Sequence, residues 1–258
     1  MPKEVAKKND QAIVLPAGFD IPDGAGLEDA DRDSFAIPFL AVLQKTSPQA
    51  DADHEAYIDG SKPGMLLDTV ANDLIDPEKE DVKIIPCFYR RAFIEWKTRN
   101  EGGGFVREHS VVDAEDLLKQ SSRNESNQDI LPNGNQIVDT RYHYVILVRG
   151  DGNLQPMVIT MSSTQVKKSK RLNSDLKLQT DAGVLRATFQ RLYKVKTVTE
   201  SNEHGSWRGW DIKRDELVAD QTQFDTAFKF YQAIKSGEVK EATDSLNTDG
   251  TVADEAQF

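Results

Sequence analysis

Aromatic and basic side chains interleave along three stretches of this sequence, a mixture suited to a single-stranded polyanion. Phe88, Tyr89, Arg90, Arg91, Phe93, Trp96, Lys97 and Arg99 form the first stretch. Arg191, Tyr193, Lys194 and Lys196 form the second, and Trp207, Arg208 and Trp210 the third. Flat rings give nucleobases a face to stack on, worth roughly 1–3 kcal/mol per base, while cations along a groove neutralise phosphates. The candidate stacking residues are Tyr89, Phe93, Trp96, Tyr193 and Trp207. The candidate phosphate contacts are Arg90, Arg91, Lys97, Lys194 and Arg208, together with Lys167, Lys168, Lys170 and Arg171, which crowd one predicted helix start. Strands favour aromatics in their own right, and alternation sends half of them into a core. Trp207 and Trp210 are an odd number of positions apart, so a strand points them to opposite faces: one core residue, one candidate platform. Neutralising about five phosphates would give log K against log salt a slope near −3.5.

Signatures of catalysis are missing from the same sequence. The histidines are His54, His109, His143 and His204, with no two at metal-ligand spacing and no H-E-x-x-H. Cys87 is the single cysteine, so neither a thiolate zinc site nor an intramolecular disulfide can form. Within Ile84-Ile85-Pro86-Cys87-Phe88 it reads as a small buried hydrophobe. G-x-S-x-G, Walker A and dinucleotide fingerprints do not occur. The expectation is a non-enzymatic protein with no cofactor and no metal. Gly102-Gly103-Gly104 lacks a following helix pattern, so it reads as a hairpin tip rather than a phosphate loop.

The charge distribution decides where a polyanion could bind. The net charge is −11, which repels phosphate when taken as a whole. Residues 1–81 carry 7 Lys and Arg against 18 Asp and Glu, and residues 238–258 carry 1 against 6. Residues 82–218 carry 22 against 17, so the middle is net positive. The last residues, Asp254, Glu255, Ala256, Gln257 and Phe258, put a bare aromatic on an acidic end. A terminal carboxylate, a ring and neighbouring acids suit a basic-rimmed pocket on a partner.

The pattern along the chain predicts the elements that hold these residues. Residues 1–34 read as a disordered acidic arm, 35–218 as the DNA-binding core, 219–237 as a C-terminal amphipathic helix and 238–258 as a disordered interaction tail. Within the core, 82–90 and 92–97 read as paired strands, with Pro86 marking an edge or a bulge. Residues 113–120 read as a short helix. Residues 137–149 form the longest strand signal, with Tyr142, Tyr144, Ile146 and Val148 on one face and Arg141, His143, Val145, Leu147 and Arg149 on the other. Residues 157–161 return after a turn at 150–153. A basic helix starts at Ser163-Thr164, and 188–199 with 206–212 form a hairpin. Phe224, Ala227, Phe228, Tyr231 and Ile234 fall on one helical face, with Thr222 as N-cap and Gly237 as stop. The fold class expected is mainly β with peripheral helices (α+β), an OB-like small barrel with a C-terminal helix and disordered tails. No stretch approaches the roughly 20 apolar residues of a membrane span, and no secretory leader is recognisable, so the cytoplasm is expected.

Some motifs are also familiar as a set. Ile37-Pro38-Phe39-Leu40, Leu43-Gln44, Ser47-Pro48-Gln49, Tyr57-Ile58-Asp59-Gly60, Pro63-Gly64, Ile85-Pro86-Cys87-Phe88-Tyr89, Glu95-Trp96 and Gly102-Gly103-Gly104-Phe105 resemble a group of tailed-bacteriophage proteins associated with replication and recombination. The β core, helix and aromatic-ended tail resemble phage single-stranded DNA-binding proteins with an oligonucleotide-binding (OB) fold. That resemblance implies a five-stranded barrel, binding with little sequence preference, and recruitment of polymerase or helicase by Asp254, Glu255 and Phe258. Single-stranded DNA and replication proteins are the expected partners, a homodimer is allowed, and no membrane partner is expected. Two other readings stay open: a phage assembly protein that binds only protein, and a DNA-processing nuclease.

Overall fold

Two long strands run antiparallel through the centre of the computed structural model, which describes residues 36–97, 103–178, 180–181, 184–203, 205–239 and 241. The short strands Leu40–Val42 (β1), Leu66–Asp68 (β2) and Asp73–Ile75 (β3) form a small sheet. The long central strands are Lys83–Trp96 (β4) and Gln136–Val148 (β8). Between them lie Phe105–His109 (β5), Ser122–Arg123 (β6) and Asp129–Ile130 (β7). Leu154–Met161 (β9) follows, then Thr180–Asp181 (β10) and Val184–Leu185 (β11), and finally the hairpin Arg191–Asn202 (β12) and Gly205–Leu217 (β13). The helices are Val111–Gln120 (α1), Val166–Leu178 (α2) and Gln221–Ser236 (α3).

β4 is one continuous strand, where the sequence suggested a hairpin broken near residue 91. Arg90 and Arg91 are not turn residues, and both sit in register with β8, opposite Tyr142 and Arg141. The expected bulge does occur, between Pro86 and Phe88. A proline offers no N–H to the ladder, and the extra residue absorbs that deficit. β12 pairs with the start of β4, at Lys83 and Ile84, and β5 with its last part.

Both faces of the central pair are covered, so alternation feeds two separate cores. Tyr142, Tyr144, Ile146 and Val148 join Ile85, Cys87, Ile94 and α3 residues Ala227 and Phe230 in the first. Val145 and Leu147 join Ile84, Ile159, Tyr193, Val195, Trp210 and α2 residues Leu172 and Leu176 in the second. Burying each such leucine contributes roughly 1.5–3 kcal/mol. A smaller cluster of Phe93, Ala114, Leu131 and Ile137 lies beneath α1. Ser110 caps α1 by accepting the Asp113 N–H at 3.2 Å. Asp220, not Thr222, caps α3 by accepting the Gln223 N–H at 2.8 Å, and Gly237 ends it at φ 77°.

The sheet curls into a mainly β, OB-like half-barrel of the α+β class. β9 continues to β1 through a parallel bridge, in which the Val158 N–H donates to Pro38 O at 2.9 Å. From β1 the path returns to β13 by a side chain. The Gln44 amide donates to Arg208 O at 2.9 Å and accepts the Arg208 N–H at 2.8 Å, replacing a strand neighbour. Among the described residues no helix is long and apolar enough to cross a membrane.

Gln44→Ala leaves that partly buried N–H and C=O without protein partners. Urea denaturation is expected to show a loss of about 1–3 kcal/mol, with Gln44→Glu also destabilising because a carboxylate cannot donate to the Arg208 carbonyl.

Candidate nucleic-acid interface

The arginines of β4 are already neutralised by carboxylates. Arg91 and Arg141 stand directly opposite each other, and both grip Asp139 through two hydrogen bonds of 2.8–2.9 Å each. The carboxylate resolves a like-charge pair that would otherwise be destabilising. Burial alone would raise the Asp139 pKa, but the two guanidinium groups hold it below the usual carboxylate range. Arg90 lies 4.4 Å over the Tyr142 ring, donates to Tyr144 Oη at 3.0 Å and to Glu241 at 2.8 Å, and also pairs with Glu108. Glu241 also accepts a hydrogen bond from the Tyr144 hydroxyl.

Most of the candidate stacking rings are core residues. Tyr193 is 1% exposed, with its hydroxyl donating to Asp175 at 2.7 Å. Phe93 lies beneath α1 with the Arg91 guanidinium 4.8 Å above it, and Trp96 is buried with Phe105 edge-on at 5.9 Å. Tyr89 is half-buried, its ring 5.2 Å from His143 and its hydroxyl accepting from Arg141 at 3.0 Å. These rings pack within the fold: both faces of β4 are covered, and on β12 Tyr193 takes the covered face while Lys194 and Lys196 take the open one. Trp210 is buried and Trp207 half-buried on the opposite face, as the odd spacing requires.

The exposed positive face lies on α2. Lys167, Lys170 and Arg171 fall at i, i+3 and i+4, and all three are exposed. They make no ion pair with any described residue. The opposite face of the helix buries Ser169, Leu172 and Leu176. Three polar fastenings hold it there. Lys168 donates to Trp210 O at 2.5 Å and pairs with Glu200 at 3.0 Å, which anchors the helix to β13. Ser169 Oγ meets His143 Nε2 at 2.9 Å. Asp175 takes Arg214 at 2.7 Å as well as the Tyr193 hydroxyl.

Between α2 and β13 runs a groove of about 700 Å³, walled by Arg171, Ser174 and Leu178 on one side and Trp210, Lys213 and Arg214 on the other. Lys213 is matched by Asp211 at 2.8 Å, so the groove's unmatched positive charge comes from α2. Glu200 and Lys168 lead from the groove to Trp207. The indole N–H of Trp207 donates to Glu200 Oε2 at 3.0 Å, and the Gln165 amide donates to the same oxygen at 2.9 Å. Burial would raise the Glu200 pKa, but these donors and Lys168 lower it, keeping the acid ionised as the clamp on the ring. Gly209 makes the approach possible: a Cβ there would lie 2.3 Å from Glu200 Oε2 and 2.9 Å from Gln165 Nε2.

The remaining candidates are scattered. Arg208 is half-buried and lies against Gly64, where a Cβ would come within 3.2 Å of its Nε. Lys194 is exposed and paired with Asp81 at 2.7 Å. Lys97 is exposed at the far end of β4, away from the groove. Asp254, Glu255 and Phe258 lie outside the described residues, as do Gly102 and His204. Sequence reasoning missed Glu200, Gln165, Gly209, Lys213 and Arg214. Glu200 was within reach, because the tight turn from Asn202 to Gly205 sets a register that places it opposite Trp207. Among the described residues, no three His, Cys, Asp or Glu side chains gather to hold a metal ion.

The family model described as Pam3 phage gp34-like protein matches residues 8–240, and the chain belongs to that phage family. No curated protein and no solved structure matches.

Burial, with the nearby Arg141 charge adding to it, pushes the His143 pKa down to about 3. The unfolded chain therefore binds the extra proton from about pH 6.5 downward, and stability should fall with pH at up to about 1.4 kcal/mol per unit. His143→Gln should be less stable at pH 7 yet flatter between about pH 6.5 and 5, above the carboxylate range, when unfolding is followed against pH.

Proposed function

We propose that this member of the Pam3 phage gp34-like family binds single-stranded DNA without sequence preference, acting in phage replication or recombination in the host cytoplasm. The observation that carries the reading is the α2 face of Lys167, Lys170 and Arg171, three cations without ion pairs among the described residues, of which Arg171 lines the groove beside β13. Elsewhere the net-positive middle is largely self-neutralised, as Arg90, Arg91 and Arg141 illustrate. Phosphates would track α2, and one base would stack on Trp207, whose ring is held in place by Glu200. The protein supplies binding and no chemistry in this reading. The acidic C-terminal segment ending at Phe258 would recruit a replication partner and compete with DNA for the α2 face.

Oligo-dT titrations test this. Three phosphate contacts give log K against log salt a slope near −2 (about −0.7 each), shallower than the five-phosphate figure. Replacing Lys167, Lys170 and Arg171 together by Ala should remove most of that slope. With Trp96 and Trp210 buried, quenching of tryptophan emission should come from Trp207 and vanish in Trp207→Phe. Removal of residues 242–258 should tighten binding while sparing Glu241 on Arg90. Salt-independent binding, or none at low salt, would contradict the reading and favour a protein that binds only protein.

A further inference from the structure

The outer face of α3 carries aromatic rings that the fold covers only in part. The sequence pattern puts Phe224, Ala227, Phe228, Tyr231 and Ile234 on one helical face; in the structure Ala227 and Phe230 are buried in the first core, Tyr231 and Ile234 pack at its margin, and Phe224 and Phe228 lie outside it. Phe228 is 38% exposed, and Phe224, Tyr231 and the neighbouring Phe189 are half-buried. The rings form an ordered row. Phe224 and Phe228 stack with centroids 6.3 Å apart at 13°, and Phe228 and Tyr231 at 6.4 Å and 21°. Phe189 braces all three at 5.4–5.7 Å. A pre-ordered aromatic row loses little side-chain freedom on binding, which is what an interface anchor requires.

The charges along α3 select the occupant. Asp220 and Asp225 lie in its first half, Lys229 and Lys235 in its second. A parallel copy would set acid against acid and base against base. An antiparallel copy sets Asp220 of one helix toward Lys235 of the other, and opposes the two helix dipoles favourably. Fused about a two-fold axis near Phe228, the two aromatic rows meet each other, the self-complementary arrangement that a symmetric dimer demands. α3 packs on the first core and α2 on the second, so this face is separate from the groove.

We propose that a second copy of this chain docks here, as an antiparallel α3–α3 pair closed over Phe224, Phe228 and Tyr231. A helix about 24 Å long gives an interface at the small end of specific ones, so a dissociation constant roughly in the micromolar range is expected. The proposal does not depend on nucleic-acid binding, and its test contains no DNA.

Sedimentation equilibrium of the full chain, from submicromolar to submillimolar concentration, should show a monomer–dimer equilibrium. Phe228→Lys should weaken it roughly thirtyfold or more, the effect of losing an interface hot spot, with circular dichroism and melting temperature unchanged. Lys235→Glu should weaken it as well, because it sets a carboxylate beside Asp220 of the other helix, whereas Lys235→Arg should leave it intact. A wild-type monomer throughout, or a dimer indifferent to Phe228→Lys, overturns the proposal. A dimer indifferent to Lys235→Glu overturns the antiparallel arrangement.

Discussion

β4 and β8 pair along their whole length, from Lys83 opposite Val148 to Trp96 opposite Gln136, and successive side chains along them enter two different cores. Everything else in the molecule is arranged around that constraint. α3 must lie on one face and α2 on the other, because each face presents apolar side chains that water would otherwise meet. Neither face of the central strands is left open to a ligand. The groove open to a ligand lies instead at the sheet's margin, where α2 meets β13.

That margin is held by polar side chains that take the place of backbone neighbours. Gln44 pairs with Arg208, and Gln165 and Lys168 satisfy the N–H and C=O of Trp210. An edge strand covered in this way does not invite pairing with another chain. Its anchors also aim α2, so that Lys168, Ser169 and Asp175 turn inward while Lys167, Lys170 and Arg171 face solvent. The same distinction explains how a chain of net charge −11 can present a positive face. Paired cations contribute little to an external field, so the unpaired ones decide its local sign.

Much of this was legible in the residues. The alternation of Tyr142, Tyr144, Ile146 and Val148 against Val145 and Leu147 gave both faces of β8 correctly, and the odd spacing of Trp207 and Trp210 separated a core ring from a surface one. The fold class follows from such patterns, since they are local. Long-range partners are not local. Nothing near Arg90 or Arg91 reveals that Asp139 and Glu241, 48 and 151 positions away, will neutralise them. The burial of Tyr193 and Phe93 depends on α2 and α1 arriving over them, and an interleaved aromatic strand reads the same with or without a helix on top. α3 failed differently: its apolar stripe is real, but its outer edge, Phe224 and Phe228, projects past the core that Phe230 enters.

Photo-crosslinking with an oligo-dT carrying iododeoxyuridine, followed by peptide mapping, would locate the interface directly. Adducts are expected on Trp207 and on the exposed face of α2, and should disappear when Lys167, Lys170 and Arg171 are replaced. Adducts confined to the Tyr89–Trp96 stretch of β4, with α2 untouched, would contradict the placement of the site at the α2–β13 groove.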